Sequence, residues 1–314
     1  MMGRRMVAFL VSILLAAGLF AGCGARPAVK RDVGKDVVFT DALGKEISVR
    51  NPQRVVALMG SFAETWLLAG GELAGVTDDA FEERGLALPE SVPSVGKYNS
   101  PNVEKTMALN PDMVILSAQT QAHVALQKVF ANAGIPTAYF SVTDFDDYLQ
   151  MLRICTRITG QEELYQKNGV EVGKQIEQTV SAVQGRKHPS ALFLITYSGG
   201  AVAMDSKSMT GKMLSDLGCE NLADQNPSLL KEFSVESILV SDPDFIFVVP
   251  MGNDSEIAKK NLREVIETNP AWSGLSAVKN DRYILLPKEQ FLYKPNAKWG
   301  ESYAYLSKVL YGGK

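Results

Sequence analysis

The sequence predicts an α/β protein that consists of two Rossmann-like lobes bridged by one long, rigid α-helix. Three observations predict it: strand patterns alternate with helical ones, one segment occurs twice, and a polar stretch without proline lies between the two copies. Alternating strands and helices are typical of parallel sheets that helices cover. With 314 residues, the chain is long enough for two modest domains.

The first residues match the pattern of a secretory signal peptide. Arg4 and Arg5 precede an uncharged stretch at 6–22, which is too short for a comfortable membrane span. The residues before Cys23 resemble the bacterial lipobox, although Phe20 stands where an aliphatic residue is usual. This resemblance implies that Cys23 carries a diacylglyceryl group, whose two acyl chains suffice for stable anchoring.

The chain after the signal peptide is therefore expected outside the cytoplasm, anchored by lipid to the cell membrane. We expect residues 1–22 to be the signal peptide and 23–35 to be a tether of small and polar residues. The formal net charge is −3, and loss of the two arginines makes it about −5. A mildly acidic chain with no basic block argues against nucleic acid as a partner.

One short segment occurs twice, 132 residues apart. Glu104 precedes Pro111 by seven residues, Glu236 precedes Pro243 by seven residues, and an apolar run follows each proline closely. In each copy an Asn or Ser caps a short helix that carries the glutamate in its first turn, and the proline ends the helix. The apolar run predicts a strand buried on both faces, as in a parallel sheet. So wide a spacing indicates a duplicated lobe rather than a solenoid.

Apolar runs and amphipathic stretches predict the remaining elements. The strands expected in the first lobe lie at 54–58, 73–76, 113–116 and 137–140, and its helices at 60–69 and 123–133. The strands expected in the second lobe lie at 191–196, 245–249 and 282–286, and its helices at 211–217, 256–268 and 297–310.

The stretch at 144–184, which lies between the copies, predicts the bridge. It lacks proline, and Gly160 divides it into helices at 145–158 and 161–184. At 1.5 Å per residue, the second helix spans about 36 Å, which is enough to cross the base of two small lobes. We therefore place the first lobe at 36–160, the linking helix at 161–185 and the second lobe at 186–314.

The loops that follow the strands predict a ligand site, because ligands of open α/β sheets lie beyond the carboxyl ends of the strands. These loops are rich in aromatic, thioether, amide and hydroxyl groups, which suit a sizeable ligand with polar edges. The candidate ligand-binding residues are Ser61, Tyr98, Gln119, Tyr197, Ser208, Met251, Asn253 and Tyr293.

The features in this order resemble the helical-backbone class of solute-binding proteins, the iron and vitamin B12 type of periplasmic binding protein. The resemblance covers nearly the whole chain after residue 22. It is carried by RVVAL at 54–58 with Glu64, SPNVE at 100–104, NPDMVI at 110–115, TG at 159–160, SVE at 234–236 and DPD at 242–244.

The resemblance implies capture of a metal chelate for an ABC importer, which consists of a permease dimer and a cytoplasmic ATPase. It also implies that Glu104 and Glu236, one on each lobe, dock onto arginines of the permease. Two carboxylates on matched helix starts would give a monomeric two-lobed protein two equivalent charged contacts with a two-fold partner. The metal would belong to the transported ligand, so no cofactor of the protein itself is expected.

Several ligands stay open. A ferric siderophore ranks first, then cobalamin or another corrinoid, then haem; a lipoprotein that senses a ligand without transport is a further alternative. Only two histidines occur, which argues against a site for free Zn²⁺ or Mn²⁺. The sequence around Ser198 lacks the first glycine of a nucleophile elbow, so we expect no enzyme. Axial ligands to a haem iron could come from Met209, Met251, Tyr98, Tyr293 or His123.

Overall fold

The computed structural model contains two separate α/β halves within one compact unit, Val33–Lys314. The residues that the structure describes are those at 36–197, 200–230, 235–251, 260, 268 and 270–312. Among the described helices, none has both the length and the hydropathy that a membrane span requires.

Short strands and helices alternate along both halves. The strands are β1 (Val37–Thr40), β2 (Glu46–Val49), β3 (Val55–Ala57), β4 (Leu73–Val76), β5 (Gly96–Lys97), β6 (Ser100–Pro101), β7 (Met113–Ser117), β8 (Thr137–Phe140), β9 (Ser190–Tyr197), β10 (Gly200–Met204), β11 (Glu220–Asn221), β12 (Phe245–Pro250) and β13 (Tyr283–Leu285). The described α-helices are α1 (Gly60–Leu68), α2 (Asp79–Glu82), α3 (Val103–Ala108), α4 (Gln121–Ala125), α5 (Gln127–Asn132), α6 (Phe145–Thr159), α7 (Glu162–Tyr165), α8 (Glu171–Ser181), α9 (Met209–Asp216), α10 (Leu222–Gln225), α11 (Val235–Ser241), α12 (Ser276–Lys279), α13 (Lys288–Phe291) and α14 (Trp299–Tyr311).

The two larger sheets share an arrangement of three parallel strands. The first has the order β4-β3-β7-β8, and all of its neighbouring strands run parallel. The second has the order β10-β9-β12-β13, with β11 also paired to β9. In both, the strand after the repeated helix lies between the first and last parallel strands. The duplication predicted from the repeat is thereby confirmed, and so is the α/β fold class.

Burial on both faces explains why β12 is apolar throughout and why β7 is apolar up to its last residue, Ser117. Every residue of Met113–Ser117 and of Phe245–Pro250 is buried. One large apolar cluster covers one face of each sheet and includes Trp66, Phe193 and Trp299. Two smaller clusters cover the opposite faces. Each sheet is therefore a middle layer, as expected for parallel strands.

The repeated motif has the same structural task in both halves. Asn110 and Asp242 adopt positive φ values of 47° and 39°, which Asn and Asp tolerate better than most residues. After the intervening proline, Asp112 accepts hydrogen bonds from the backbone N–H groups of Gln53 and Arg54, at 2.7 and 2.8 Å.

The matching aspartate of the second half repeats this contact. Asp244 accepts from the backbone N–H of Ser190 at 3.0 Å and from its hydroxyl at 3.2 Å. In each half, the carboxylate therefore holds the entry to the first parallel strand beside the strand that follows the motif. This explains why the aspartate recurs together with the proline.

The linking helix differs from a regular α-helix. A π-helical segment, Gln166–Val170, lies between α7 and α8, and α8 ends at Ser181, before the expected residue 184. The side chain of Asn168 donates to the Leu68 carbonyl at 2.7 Å, and a Cβ at Gly169 would lie 2.9 Å from Leu149. The helix therefore packs closely on the first half, while α8 packs on α14 of the second. The exact lobe boundaries stay a prediction.

Other differences concern local pairing. The hairpin of β1 and β2 was not expected, and β10 runs antiparallel to β9, whereas we expected parallel lobes. Gly200 at φ 145° begins the returning strand β10, a conformation open mainly to glycine. The helix expected at 123–133 is divided into α4 and α5. The helix expected at 256–268 lies outside the described residues except at 260 and 268.

We predict that Asp112→Ala lowers the free energy of unfolding by about 1 kcal/mol, because two backbone N–H groups lose a charged acceptor at an exposed position. Urea unfolding of the full chain measures this. The matched control is Glu90→Ala, which removes another exposed carboxylate. Equal stability of the two variants would show that the aspartate does not hold the strand.

Candidate ligand-binding cleft

A cavity of about 310 Å³ lies between the two halves, within the size range of small-molecule sites. Met59, two residues after β3, and Met251, directly after β12, place it at the carboxyl ends of the parallel strands. This is where open α/β sheets bind ligands. The residues that line it are Met59, Ser61, Asp79, Glu83, Arg84, Tyr98, Met251, Leu292, Tyr293 and Lys294.

Four of the predicted ligand-binding residues meet in this cavity: Ser61, Tyr98, Met251 and Tyr293. Tyr98 and Met251, from opposite halves, keep 44% and 45% of their surface exposed. Large apolar side chains left exposed at a cavity mouth are typical of a binding surface. The cavity therefore offers aromatic and thioether contacts from both sides.

The other predicted residues do not line this cavity. Gln119 is exposed beyond β7, and Tyr197 is exposed at the end of β9. The hydroxyl of Ser208 caps α9, because it accepts from the Gly211 N–H at 3.3 Å and donates to the Asp205 carbonyl at 2.6 Å. Asn253 lies outside the described residues. Ligand contacts for these residues stay a prediction.

The sequence-based candidates do not include the charged residues of the wall. Asp79, Glu83 and Arg84 come from the short helix α2 and the residues just after it, and Lys294 comes from the segment after α13. The signal was present, because α2 begins three residues after β4 and thus at the same edge of the sheet.

Two ion pairs neutralise part of this wall. The guanidinium of Arg84 pairs with the carboxylate of Glu64. Lys288 Nζ lies 2.9 Å from Glu83 Oε2, which joins the second half to the first. The phenol of Tyr293 also hydrogen bonds to Glu83, and burial together with this bond raises the pKa of Tyr293. Tyr293 therefore stays protonated and serves as a donor.

Asn296 fastens the two halves beside the cavity. Its side-chain N–H₂ donates to the Ser61 carbonyl at 2.9 Å and to Glu64 Oε2 at 2.8 Å. Its side-chain oxygen accepts from the Thr65 hydroxyl at 3.3 Å. Asn296 is buried and has a φ of 53°, so a polar residue that tolerates this conformation is required here.

His123 positions a cleft residue rather than a metal. The ring is fully buried; Nδ1 accepts from the Ser117 N–H at 3.0 Å, so Nε2 carries the proton and donates to the Tyr98 carbonyl at 2.6 Å. Burial lowers the pKa of His123. Since both ring nitrogens are engaged, His123 is not available to a haem iron, which corrects that sequence-based candidate.

The predicted docking glutamates occupy matching places. Glu104 lies in the first turn of α3 and Glu236 in the first turn of α11, and both are exposed. Asn102 caps α3 through the Lys105 N–H, at 2.8 Å, as the repeat predicted. Cys23 lies outside the described residues. Within the part of the chain that the structure describes, no group of three or more His, Cys, Asp and Glu side chains could hold a metal ion.

Two α/β halves with a cavity between their strand ends define a two-lobed solute-binding protein. The family model for periplasmic binding proteins matches residues 55–290. The chain therefore belongs to the periplasmic binding protein family, and the resemblance seen in the sequence is confirmed.

Individual relatives agree with this assignment. The chain is 24% identical over 284 residues to the Fe(3+)-citrate-binding protein YfmC of Bacillus subtilis (strain 168), covering 88% of each chain. The structure of the petrobactin-binding protein YclQ from Bacillus subtilis matches with a TM-score of 0.72 at 21% identity, over 88% of this chain and 98% of that one. An ABC transporter substrate-binding protein from Listeria monocytogenes EGD-e matches with a TM-score of 0.67 at 22% identity, over 84% and 100%. The structural matches show a common fold.

We predict that the free energy of unfolding falls as the pH drops below 6.5, the ordinary pKa of histidine. The contribution of the neutral, buried His123 is complete above this pH. The unfolded chain then binds a proton on His123 that the folded chain binds only at lower pH, because burial lowers the folded-state pKa. Urea unfolding between about pH 7 and about pH 5 measures this.

The variant His123→Gln should lose part of this pH dependence, and His188→Gln, at an exposed position, is the matched control. Identical pH slopes for the wild type and His123→Gln would contradict the assigned role of the buried ring.

Proposed function

We propose that this protein captures a ferric chelate outside the cytoplasm and delivers it to an ABC permease. The observation that carries the proposal is the cavity between the halves, where Tyr98 and Met251 remain exposed on opposite walls. A chelate that fills the cavity covers both side chains and contacts both halves. The names of the relatives support an iron ligand, since YfmC is an Fe(3+)-citrate-binding protein and YclQ binds petrobactin.

The proposal contains no chemical step. The metal arrives and leaves inside its chelate, so the protein needs no cofactor of its own. Membership of a family of binding proteins supports this reading over an enzyme. A corrinoid, haem or a signalling role without transport are the outcomes that a ligand screen distinguishes.

The proposed site of action is the outer face of the cell membrane. A diacylglyceryl group on Cys23 would anchor the chain there, with residues 23–35 as the tether between anchor and first strand. Two acyl chains give stable attachment, whereas one gives only marginal binding. The protein thus stays close to its permease as a tethered monomer.

Delivery depends on the two exposed glutamates. Glu104 and Glu236 begin equivalent helices in the two halves, so they offer a two-fold permease the same charged group twice. Charged pairs at the rim of an interface fix orientation and speed association more than they add affinity. Loss of both carboxylates should therefore impair transfer of the ligand and leave its capture intact.

We predict that the double variant Glu104→Ala, Glu236→Ala lowers uptake of ferric chelates by about tenfold or more, while the dissociation constant of the ligand stays within about twofold. Uptake of radioactive iron by cells that lack the chromosomal gene and express each variant measures transport. The matched control is Glu90→Ala, Glu162→Ala, which removes two other exposed carboxylates.

Wild-type uptake by the Glu104, Glu236 double variant would refute the docking role. If wild-type protein restores uptake of no ferric chelate, the transport function itself is wrong.

A further inference from the structure

We propose that the cavity selects a chelate of low net charge that presents a hydrogen-bond donor to Asp79 and an acceptor oxygen to Lys294. Among ferric complexes, tris-hydroxamates have this chemistry. The inference rests on the proposed function, because it specifies the ligand of the same cavity.

The charges of the described wall cancel. In their ionised forms, Asp79 and Glu83 contribute two negative charges, and Arg84 and Lys294 contribute two positive charges. Burial raises the pKa of Asp79 and lowers the pKa of Lys294, so it favours the neutral form of one acid and of one base alike and leaves the balance unchanged. Arg84 is already paired with Glu64 outside the cavity wall. A strongly anionic ligand would therefore lie beside two carboxylates without an excess of cations to compensate for them. A strongly cationic ligand would lie beside two basic groups without an excess of carboxylates.

Glu83 is also satisfied within the protein. It accepts the ammonium of Lys288 at 2.9 Å and the phenol of Tyr293. Asp79 and Lys294 are the remaining charged groups of the wall. A ligand could supply each of them with a hydrogen-bond partner.

Asp79 has one oxygen in use and one without a partner. Its Oδ2 accepts from the Gly60 N–H at 2.7 Å. Its Oδ1 is buried and has no partner at hydrogen-bond distance and angle among the described residues. Burial raises the pKa of Asp79, whereas the nearby Thr77 hydroxyl and the Gly60 N–H lower it. A Cβ at Gly60 would lie 2.7 Å from the Ala80 backbone nitrogen, so glycine is needed for α1 to approach α2 closely. The carboxylate is thereby held in place, and a buried acceptor without a donor is costly unless a ligand supplies one.

Lys294 is the complementary group on the other half. It is partly buried, and the described residues give its ammonium neither a hydrogen bond nor an ion pair. Burial and the neighbouring Arg84 both lower the pKa of Lys294, whereas Asp79 raises it. An acceptor oxygen of a ligand would relieve this unfavourable environment and favour the charged amine.

The composition of the remaining wall restricts the class of ligand further. Met59, Met251, Leu292 and the ring of Tyr98 offer apolar surface for the carbon skeleton of a chelator. Three singly charged hydroxamates neutralise Fe³⁺ and carry amide or hydroxyl groups nearby, whereas three doubly charged catecholates leave the complex strongly anionic. Charge balance therefore favours the hydroxamate complex.

The preference for a chelate of low net charge, here called the charge rule, is tested by titration of the purified full-length chain. The ligands are ferrichrome, ferric citrate and ferric enterobactin, and tryptophan fluorescence with inner-filter correction measures binding. We expect ferrichrome to bind at least about tenfold more tightly than either anionic complex. Its dissociation constant should change little with ionic strength, because no net charge is neutralised on binding.

Two near-isosteric variants test the residues. Asp79→Asn and Lys294→Met should each weaken ferrichrome binding by about tenfold, because each leaves one polar group of the complex unpaired. Asp79→Asn should also reduce the difference in affinity between ferrichrome and ferric citrate, because it removes a carboxylate. Lys294→Met should increase this difference, because it removes a cation. The controls are Glu90→Gln and Lys279→Met, both at exposed positions, and thermal unfolding verifies that all four variants are folded.

Tightest binding of ferric citrate or ferric enterobactin, with an affinity that falls as salt rises, would overturn the charge rule and leave capture of a ferric chelate intact. Unchanged ferrichrome affinity in both Asp79→Asn and Lys294→Met would overturn the role of these residues. Binding of none of the three complexes would overturn this inference together with the proposed function.

Discussion

The geometry of the cleft depends on the buried hydrogen bonds of Asn296. This side chain comes from the second half of the chain and bonds to Ser61, Glu64 and Thr65 on α1 of the first. Because these groups are buried, separating them without water would leave several polar atoms unpaired, and each would cost roughly 1–3 kcal/mol. The wall formed by Tyr293 and its neighbours is therefore fixed relative to α1 and α2. The linking helix provides a second connection, since it packs on α1 and α6 at its start and on α14 at its end.

Two such connections restrict how the protein captures a ligand. A wide hinge motion would have to break the Asn296 contacts and the ion pair between Lys288 and Glu83. Small closure around a largely preformed cavity requires neither. The same rigidity would keep Glu104 and Glu236 at a constant separation, as the proposed docking onto a two-fold permease would require. The proposed binding and docking surfaces would thus be coupled through one scaffold, in which Asp112 and Asp244 hold the first parallel strand of each half in place.

The sequence predicted those features that local patterns encode. Apolar runs revealed the parallel strands, and the recurrence of glutamate, proline and aspartate revealed the duplicated topology, because each residue has a local structural reason. The cavity was predicted only in part. Tyr98 and Met251 are among the sequence-based candidates, but Asp79 and Lys294 are not. Their proximity across the halves is a long-range feature that local patterns do not encode. The π-helical turn at Gln166–Val170 likewise depends on tertiary packing around Asn168 and Gly169.

The distance between the two halves in solution tests the account most directly. Spin labels at Lys128→Cys and Lys279→Cys, both exposed and one on each half, allow a pulsed electron resonance measurement in a Cys23→Ser background. Cys155 and Cys219 stay unlabelled, because both are buried and burial raises their pKa to about 12. We expect one narrow distance distribution that shifts little when a ferric chelate binds and that broadens in Asn296→Gly. A broad or two-peaked distribution in the wild type that collapses on binding would contradict a rigid, largely preformed cleft.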